Sequence, residues 1–241
     1  MTPTIRDVRG VPVPGVSGVP AHPPAGTARF RDMLHGLLPP KAPAPHTPIP
    51  APAPRVPPPR PVSSLPDTKA ALASRIRDAA GTVGVEPALS VAIARAESSL
   101  DPRARSSDGL SVGTFQMTHA TAAEMRKKIA AGRVQRPAGT DDVALGVGYL
   151  RYLHDVFGRS AKLAQGLHTV PVADADERRL FAVAAFNAGE GRVAQAQARA
   201  AATGGDPTRF DDVRPFLPKI TQGYVERVTA YARAETATAV A

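Results

Sequence analysis

The chain contains no cysteine and no tryptophan, and aromatic residues make up 5% of its 241 positions. Without cysteine there is no disulfide framework and no thiolate metal site, and the redox compartment stays open. Few aromatics, none of them interleaved with a basic run, argue against a stacking platform for single-stranded nucleic acid. No apolar run approaches the ~20 residues of a membrane-spanning helix. The stretch Met1-Thr2-Pro3-Thr4-Ile5-Arg6-Asp7 lacks the apolar core of a secretory signal peptide, so none is expected. There is no internal repeat and no phosphate-cradling glycine loop. His119, His154 and His168 show no ligand spacing, so neither a metal nor another cofactor is expected.

What the chain does have is positive charge and proline. The formal charge is +9 and the pI about 10.4. That excess suggests an anionic partner: nucleic acid, an anionic cell-wall polymer or a membrane surface. Residues 1–66 hold 19 of the 26 prolines and carry +5 of the charge. Proline cannot donate a backbone hydrogen bond and favours extended polyproline conformation. With so little apolar content, this segment is expected to be a disordered, semi-rigid tether. Within it, Phe30, Met33, Leu34, Leu37 and Leu38 recur at helical spacing over residues 28–38. That island suits either a helix that docks in a partner's groove or a transient helix with no partner.

From residue 67 to 241 the pattern becomes helical. Asp67 caps a helix through about Ala80, with Gly81 as its stop. A second helix starts at Pro87, which is tolerated in a first turn. Leu100 to Gly113 reads as a polar loop with room for a short hairpin. Thr118 caps a helix to about Ala131, and Thr140-Asp141-Asp142 opens one that Gly158 closes. Residues 176–185 are helical, the chain turns at Asn187-Ala188-Gly189, and Glu190 to Ala202 is an alanine-rich helix. A last helix runs from about Thr221 to Ala237. Short helices with almost no alternating period imply an all-α domain.

The second helix carries the candidate chemistry. Val91-Ala92-Ile93-Ala94-Arg95-Ala96-Glu97 presents apolar and small residues at the spacing of a buried face, which puts Glu97 near the helix end. Carbonyl dipoles at a C-terminus and apolar surroundings both disfavour a charged carboxylate. Both would raise its pKa, as a general acid near neutral pH requires. The same position suits a Glu that merely points to solvent, and position alone does not separate the two.

Four further stretches weigh on that choice. They are Glu97-Ser98-Ser99-Leu100-Asp101-Pro102 with Ser106, Gly113-Thr114-Phe115-Gln116-Met117, Ala185-Phe186-Asn187-Ala188-Gly189, and Pro218-Lys219-Ile220-Thr221-Gln222-Gly223-Tyr224-Val225. In this order and at these separations, they resemble the soluble lytic transglycosylase family. That resemblance covers roughly residues 67–232. It implies a lysozyme-like helical fold that cleaves the glycan strands of peptidoglycan, behind the Pro-rich tail. Three departures stand out. The loop between Ser106 and Gly113 is one residue longer, so Ser106 or Ser107 fills the family's loop-serine position. Phe186 replaces a Tyr, and Ile220 replaces a frequent Glu.

The resemblance also implies roles. Glu97 alone would serve first as acid and then as base, since the attacking 6-hydroxyl belongs to the muramic acid sugar. Two-carboxylate glycosidases work differently. Ser98 would steady the turn after the catalytic helix or simply cap it. Ser106 or Ser107 would bond the sugar's acetamido group. Gln116 and Asn187 would offer amides to hydroxyl and N-acetyl groups, Asn187 being equally suited to a plain turn. Tyr224 would place its hydroxyl at the acid or the substrate. Phe115, Met117 and Phe186 would wall the acid off from water, with ordinary core packing the simpler role for Phe115. Glu190 reads as a helix N-terminal charge. A non-catalytic wall-binding scaffold and a hydrolytic lysozyme on the same fold are the rivals, with a nucleic-acid binder as the charge-based alternative. The substrate implies the periplasm or cell wall. Export without a signal would then use a flagellar or secretion apparatus that docks the 28–38 island.

Overall fold

The computed structural model describes residues 69–135, 139 and 141–240. The proline-rich tail, its 28–38 island and the Asp67 cap lie outside the described residues. The elements, in order, are α1 (Lys69–Thr82), α2 (Pro87–Ser98), β1 (Ser111–Val112), β2 (Met117–Thr118), α3 (His119–Ala130), α4 (Asp142–Phe157), α5 (Ala175–Ala188), α6 (Glu190–Ala202), α7 (Phe210–Val213) and α8 (Lys219–Val240). The architecture is the expected all-α one. A two-stranded antiparallel hairpin interrupts it, pairing Ser111 with Thr118 and Val112 with Met117. Among the described residues no helix is long and apolar enough to cross a membrane.

Local chemistry sets four of the helix starts. Thr118 accepts the Thr121 N–H, Asp141 the Ala144 N–H and Asp174 the Glu177 N–H, each satisfying an orphan donor of a first turn. Pro87 opens α2. Several boundaries differ from the sequence reading, and α8 spans Lys219–Val240 rather than about Thr221 to Ala237. Helix α1 continues past Gly81 to Thr82, because the left-handed residue that ends it is Gly84, at φ 65°. Helix α5 begins at Ala175 and runs through Asn187, so the chain reverses at Gly189 alone (φ 83°). The four-residue α7 is too short to show a period.

The core is built largely where α4 and α5 pack against each other. Phe115, Phe157, Phe181 and Phe186 are fully buried there. Phe157 meets Phe181 at 5.7 Å between ring centroids, and Phe181 meets Phe210 edge-on at 5.6 Å. Each such ring contributes roughly 1.5–3 kcal/mol by leaving water. Gly146, inside α4, makes this packing possible, since a Cβ there would stand 2.2 Å from the Phe115 ring.

Helix α2 packs most extensively against α8. Glu235, 8% exposed, ties the far half of α8 down by accepting from Arg77 of α1 (2.8 Å) and Arg95 of α2 (2.6 Å). The near half of α8 is thereby held against the end of α2.

Candidate active site

Glu97 sits one residue from the end of α2, half-buried. The Tyr224 hydroxyl, from the second turn of α8, donates to Glu97 Oε1 at 2.8 Å. That bond fixes one oxygen of the carboxyl and joins the first quoted motif to the fourth across 127 residues of chain.

The turn that follows is unusual. Ser99 (φ 57°) and Leu100 (φ 60°) both adopt left-handed conformation, uncommon for residues that carry a Cβ. Ser98 holds the turn in place. Its hydroxyl donates to Thr114 O (2.7 Å) and lies 3.1 Å from Ala94 O, and Asp101 N–H donates to it at 3.2 Å. Ser98 is thus the clasp between the end of α2 and the loop inside the hairpin.

That loop, Gly113–Gln116, hangs on Asp142. The Asp142 carboxylate accepts the Thr114 N–H and stands so close to Gly113 that a Cβ there would lie 2.6 Å from it. Gly113, at φ 81°, is therefore required twice over. Burial pushes the Asp142 carboxyl above its ordinary value, and hydrogen bonds from Thr114 and Phe115 partly oppose that shift. Gln116, 2% exposed and at φ 47°, directs its amide nitrogen to Ala104 O and Gly113 O, both at 2.9 Å. Its amide nitrogen therefore braces the loop.

Asn187 lies in the last turn of α5. Its Oδ1 accepts the hydroxyl of Thr221 at 2.8 Å. Thr221 is fully buried and precedes Tyr224 by one turn on the same face of α8. A single helical turn of α8 thus reaches both Glu97 and Asn187. Phe186, just before Asn187, packs on Phe115 (6.2 Å) and on Tyr149 (5.2 Å), so the Gly113–Gln116 loop and the end of α5 share one aromatic wall. Met117 is buried in the same core.

Other residues stand further out. Ser106 bonds Asp108 and accepts the Ser111 N–H at 2.9 Å, which engages it inside its own loop. Ser107 is exposed. Ile220 is 45% exposed, an apolar side chain at the foot of α8. Glu190 opens α6 as expected and accepts from the Tyr152 hydroxyl at 3.3 Å. Burial and the neighbouring Glu190 charge together push the Tyr152 phenol well up.

Sequence reasoning missed Asp142 and Thr221. Asp142 reads as a helix-start charge, and only the fold brings the Gly113 turn over it. Thr221 had a signal, being three residues before Tyr224 within one motif.

The chain is 31% identical over 160 residues to membrane-bound lytic murein transglycosylase F of Desulfosudis oleivorans, covering 66% of this chain and 31% of that protein. It is 32% identical over 156 residues to the protein of the same name from Salmonella arizonae, covering 61% and 27% respectively. The chain thus spans about a third or less of the length of these relatives. Its fold is similar to that of an inactive mutant of lytic transglycosylase Slt from Pseudomonas aeruginosa, with a TM-score of 0.50, 24% identity and coverage of 72% of this chain and 24% of that one. A family model described as the Transglycosylase SLT domain matches residues 74–207, more than half of the chain, and the protein belongs to that family.

Proposed function

We propose that the protein is a peptidoglycan lytic transglycosylase in which Glu97 performs both proton transfers. The observation that carries this reading is the 2.8 Å bond from the Tyr224 hydroxyl to a half-buried carboxyl at a helix end. Family membership and the lytic transglycosylase names of its relatives support it.

In the first step Glu97, as the acid, gives its proton to the oxygen bridging N-acetylmuramic acid and N-acetylglucosamine. The bond from that oxygen to muramic acid C1 breaks, and the glucosamine side leaves with a hydroxyl. The muramic acetamido group shields the cationic C1. In the second step the Glu97 carboxylate takes the proton from the same sugar's 6-hydroxyl, whose oxygen bonds to C1 and closes a 1,6-anhydro ring. No water is consumed, and Glu97 ends protonated as it began. An attacking hydroxyl on the same sugar has a large effective concentration over water.

The chain's own groups serve these steps by position. Tyr224 orients the carboxyl. The Ser98 clasp and the Asp142-anchored loop hold the end of α2, while Thr221 orients the Asn187 amide for a hydroxyl or acetamido group. Ser106 and Ser107 lie on the loop that would meet the acetamido group. Such a substrate places the work in the periplasm or cell wall. Export through a flagellar or secretion apparatus that reads residues 28–38 belongs to the same proposal, and deleting 27–38 should then lower the exported amount.

Mass spectrometry of digested wall tests the reading. Anhydro-muramyl ends are the expected product, and they should vanish with Glu97→Gln. Hydrated reducing ends would mean a lysozyme, no release at all a binding scaffold, and full activity in Glu97→Gln an acid located elsewhere.

A further inference from the structure

A hollow of about 790 Å³ opens between α2, α5 and α8, and the chemistry above does not use it. It takes Glu86 and Leu89 from the start of α2, side chains between Asp174 and Val183 from the start of α5, and others between Thr229 and Ala237 from the second half of α8. Glu97, Asn187 and Tyr224 belong to the opposite ends of these same helices. The floor is apolar. Leu89 and Val183 are buried, with Leu180 and Ala232 half-buried beside them. The rim is acidic: Glu86, Asp174, Asp176 and Glu177 stand against Arg179 and Arg233, an excess of two negative charges.

That sign runs against the chain's overall charge of +9. One hollow beside α6 sets Lys128, Lys162 and Arg192 against Glu190, and another holds Arg192 and Arg199 with no acid. A fourth, between α1 and α8, sets Lys69, Arg77 and Arg95 against Glu235. The acids of the first hollow are also held in place. Arg179 bridges Glu86 at 2.7 Å and Asp176 at 3.1 Å, Asp174 caps α5, and Glu177 accepts the Phe210 N–H at 2.7 Å. Asp176 nevertheless keeps its side chain 84% exposed.

A segment both apolar and basic suits such a hollow, and the chain supplies one. Phe30, Met33, Leu34, Leu37 and Leu38 recur at helical spacing, with Arg29 and Arg31 between and beside them. Phe30–Leu38 and the wall from Thr229 to Ala237 have the same number of residues, about 12 Å at the rise of a helix. The connection is long enough. The residues numbered 39–68 lie between this segment and α1, and at ~3.1 Å each in extended polyproline form they would span about 90 Å. Helix α1 also starts nearby: Lys69 lines a hollow with Ala234 and Thr238, while Arg233 and Ala237, from the same turns of α8, line the acidic one. The chain therefore has about the width of one helix, roughly 10–12 Å, to get around. Tethering of this kind gives an effective concentration of order millimolar, so a weak contact suffices.

We propose that residues 28–38 of this chain dock in the hollow between α2, α5 and α8. Their apolar side chains cover Leu89, Leu180 and Val183, and Arg29 and Arg31 meet the carboxylates of the rim. The proposal uses none of the residues assigned to the wall-cleaving reading and does not depend on it. An export apparatus that reads the same residues would have to displace them from the domain.

The full-length protein tests this directly. Because the chain has no cysteine, Gly36→Cys accepts a single nitroxide label on the polar side of the segment. Amide signals of Leu89, Leu180, Val183 and Ala232 should lose most of their intensity, while that of Ala196 in α6 should not. In the labelled chain, Phe30→Ser/Leu34→Ser should lower the ratio of docked to undocked molecules by at least ~tenfold, from the loss of two apolar side chains. Asp176→Arg, at an exposed position, should lower it by about fivefold, and Arg31→Asp added to Asp176→Arg should restore it. High salt should weaken docking in the parent. Thermal unfolding checks that Asp176→Arg leaves the domain folded. Signals of the hollow that keep their intensity, broadening centred on α6 instead, or broadening indifferent to both the segment variant and the charge swap would overturn the proposal. So would broadening of an unlabelled, isotope-enriched chain mixed with the nitroxide-bearing one, which would make the occupant a second copy.

Discussion

Helix α2 ends on Ser99 and Leu100, two side-chain-bearing residues held left-handed. Helix α5 ends on Gly189, whose φ of 83° and ψ of 147° suit glycine almost alone. Both ends place a polar residue, Glu97 or Asn187, within a turn of the reversal. Both are also bonded by the same turn of α8, at 2.8 Å in each case. The first end is shaped by surrounding side chains: the Ser98 clasp on Thr114, the Asp142 anchor below it, and Leu100 buried against the core. The second is shaped by the backbone freedom of one residue. A strained end held from several sides keeps its carboxyl in one place, and strain of this kind persists only where the surroundings over-determine it. A glycine reversal lets the chain turn straight into α6 directly beside Asn187.

The largest expected effect separates the two polar residues. Glu97→Gln should lower anhydro-product formation by ~10³-fold or more, the order of losing a positioned general acid. Asn187→Ala should cost only ~10-fold, mainly in KM, because one hydrogen bond to substrate is worth about 0.5–1.5 kcal/mol. Product analysis on purified strands checks both, with thermal unfolding to confirm that neither variant is unfolded. Comparable losses would mean that the two ends contribute alike to the chemistry.

Tyr224→Phe removes the donor to Glu97 without changing the ring. It should lower kcat by ~10-fold, from the loss of about 1.4 kcal/mol of orientation. Thr221→Val should leave kcat nearly intact and raise KM, since its partner is Asn187. A reversed kcat and KM pattern would show that α8 serves the two ends in the opposite sense.

Much of the α2 end was legible before any fold was known. Pro87 and the apolar spacing from Val91 locate the helix, so Glu97 falls at its end. The αL pair at Ser99 and Leu100 was not legible, because nothing local asks those residues for positive φ; it follows a turn that Ser98 ties to Thr114. At α5 the error ran the other way. Asn187 beside Gly189 looks like a turn, since Asn favours turns wherever it stands. In the fold it stays helical, its side chain bonded by Thr221, and only Gly189 leaves the helix. Gln116 looks like a sugar ligand in its motif. Burial and two carbonyl partners show its amide nitrogen bracing the loop as well, which a linear motif cannot convey.

The Gly189 end can be broken by backbone alone. A Cβ at Gly189 would meet nothing within 4 Å, so Gly189→Ala carries only the conformational cost, about 1–3 kcal/mol of stability. Gly191, two residues on in α6, also has open space but ordinary helical φ, and Gly191→Ala should stabilise by about 0.5–1 kcal/mol. Opposite signs in urea unfolding at these neighbouring positions would confirm that the reversal depends on one residue's φ. Equal signs would place its cause in packing instead.

The α2 end offers the converse and smallest effect. Ser99 is exposed and left-handed, so Ser99→Gly removes little contact and relieves the positive φ. Against that gain stands the greater freedom of glycine in the unfolded chain, and the net expectation is a rise in stability of about 0.5 kcal/mol. If the strain is held entirely by the Ser98 clasp, activity should be unchanged while stability rises. If instead the turn's rigidity keeps Glu97 against Tyr224, the more stable variant should be the slower enzyme, by about threefold in kcat with KM unaffected. Measuring urea midpoints and kcat on the same preparations distinguishes a turn that merely closes a helix from one that aims its acid.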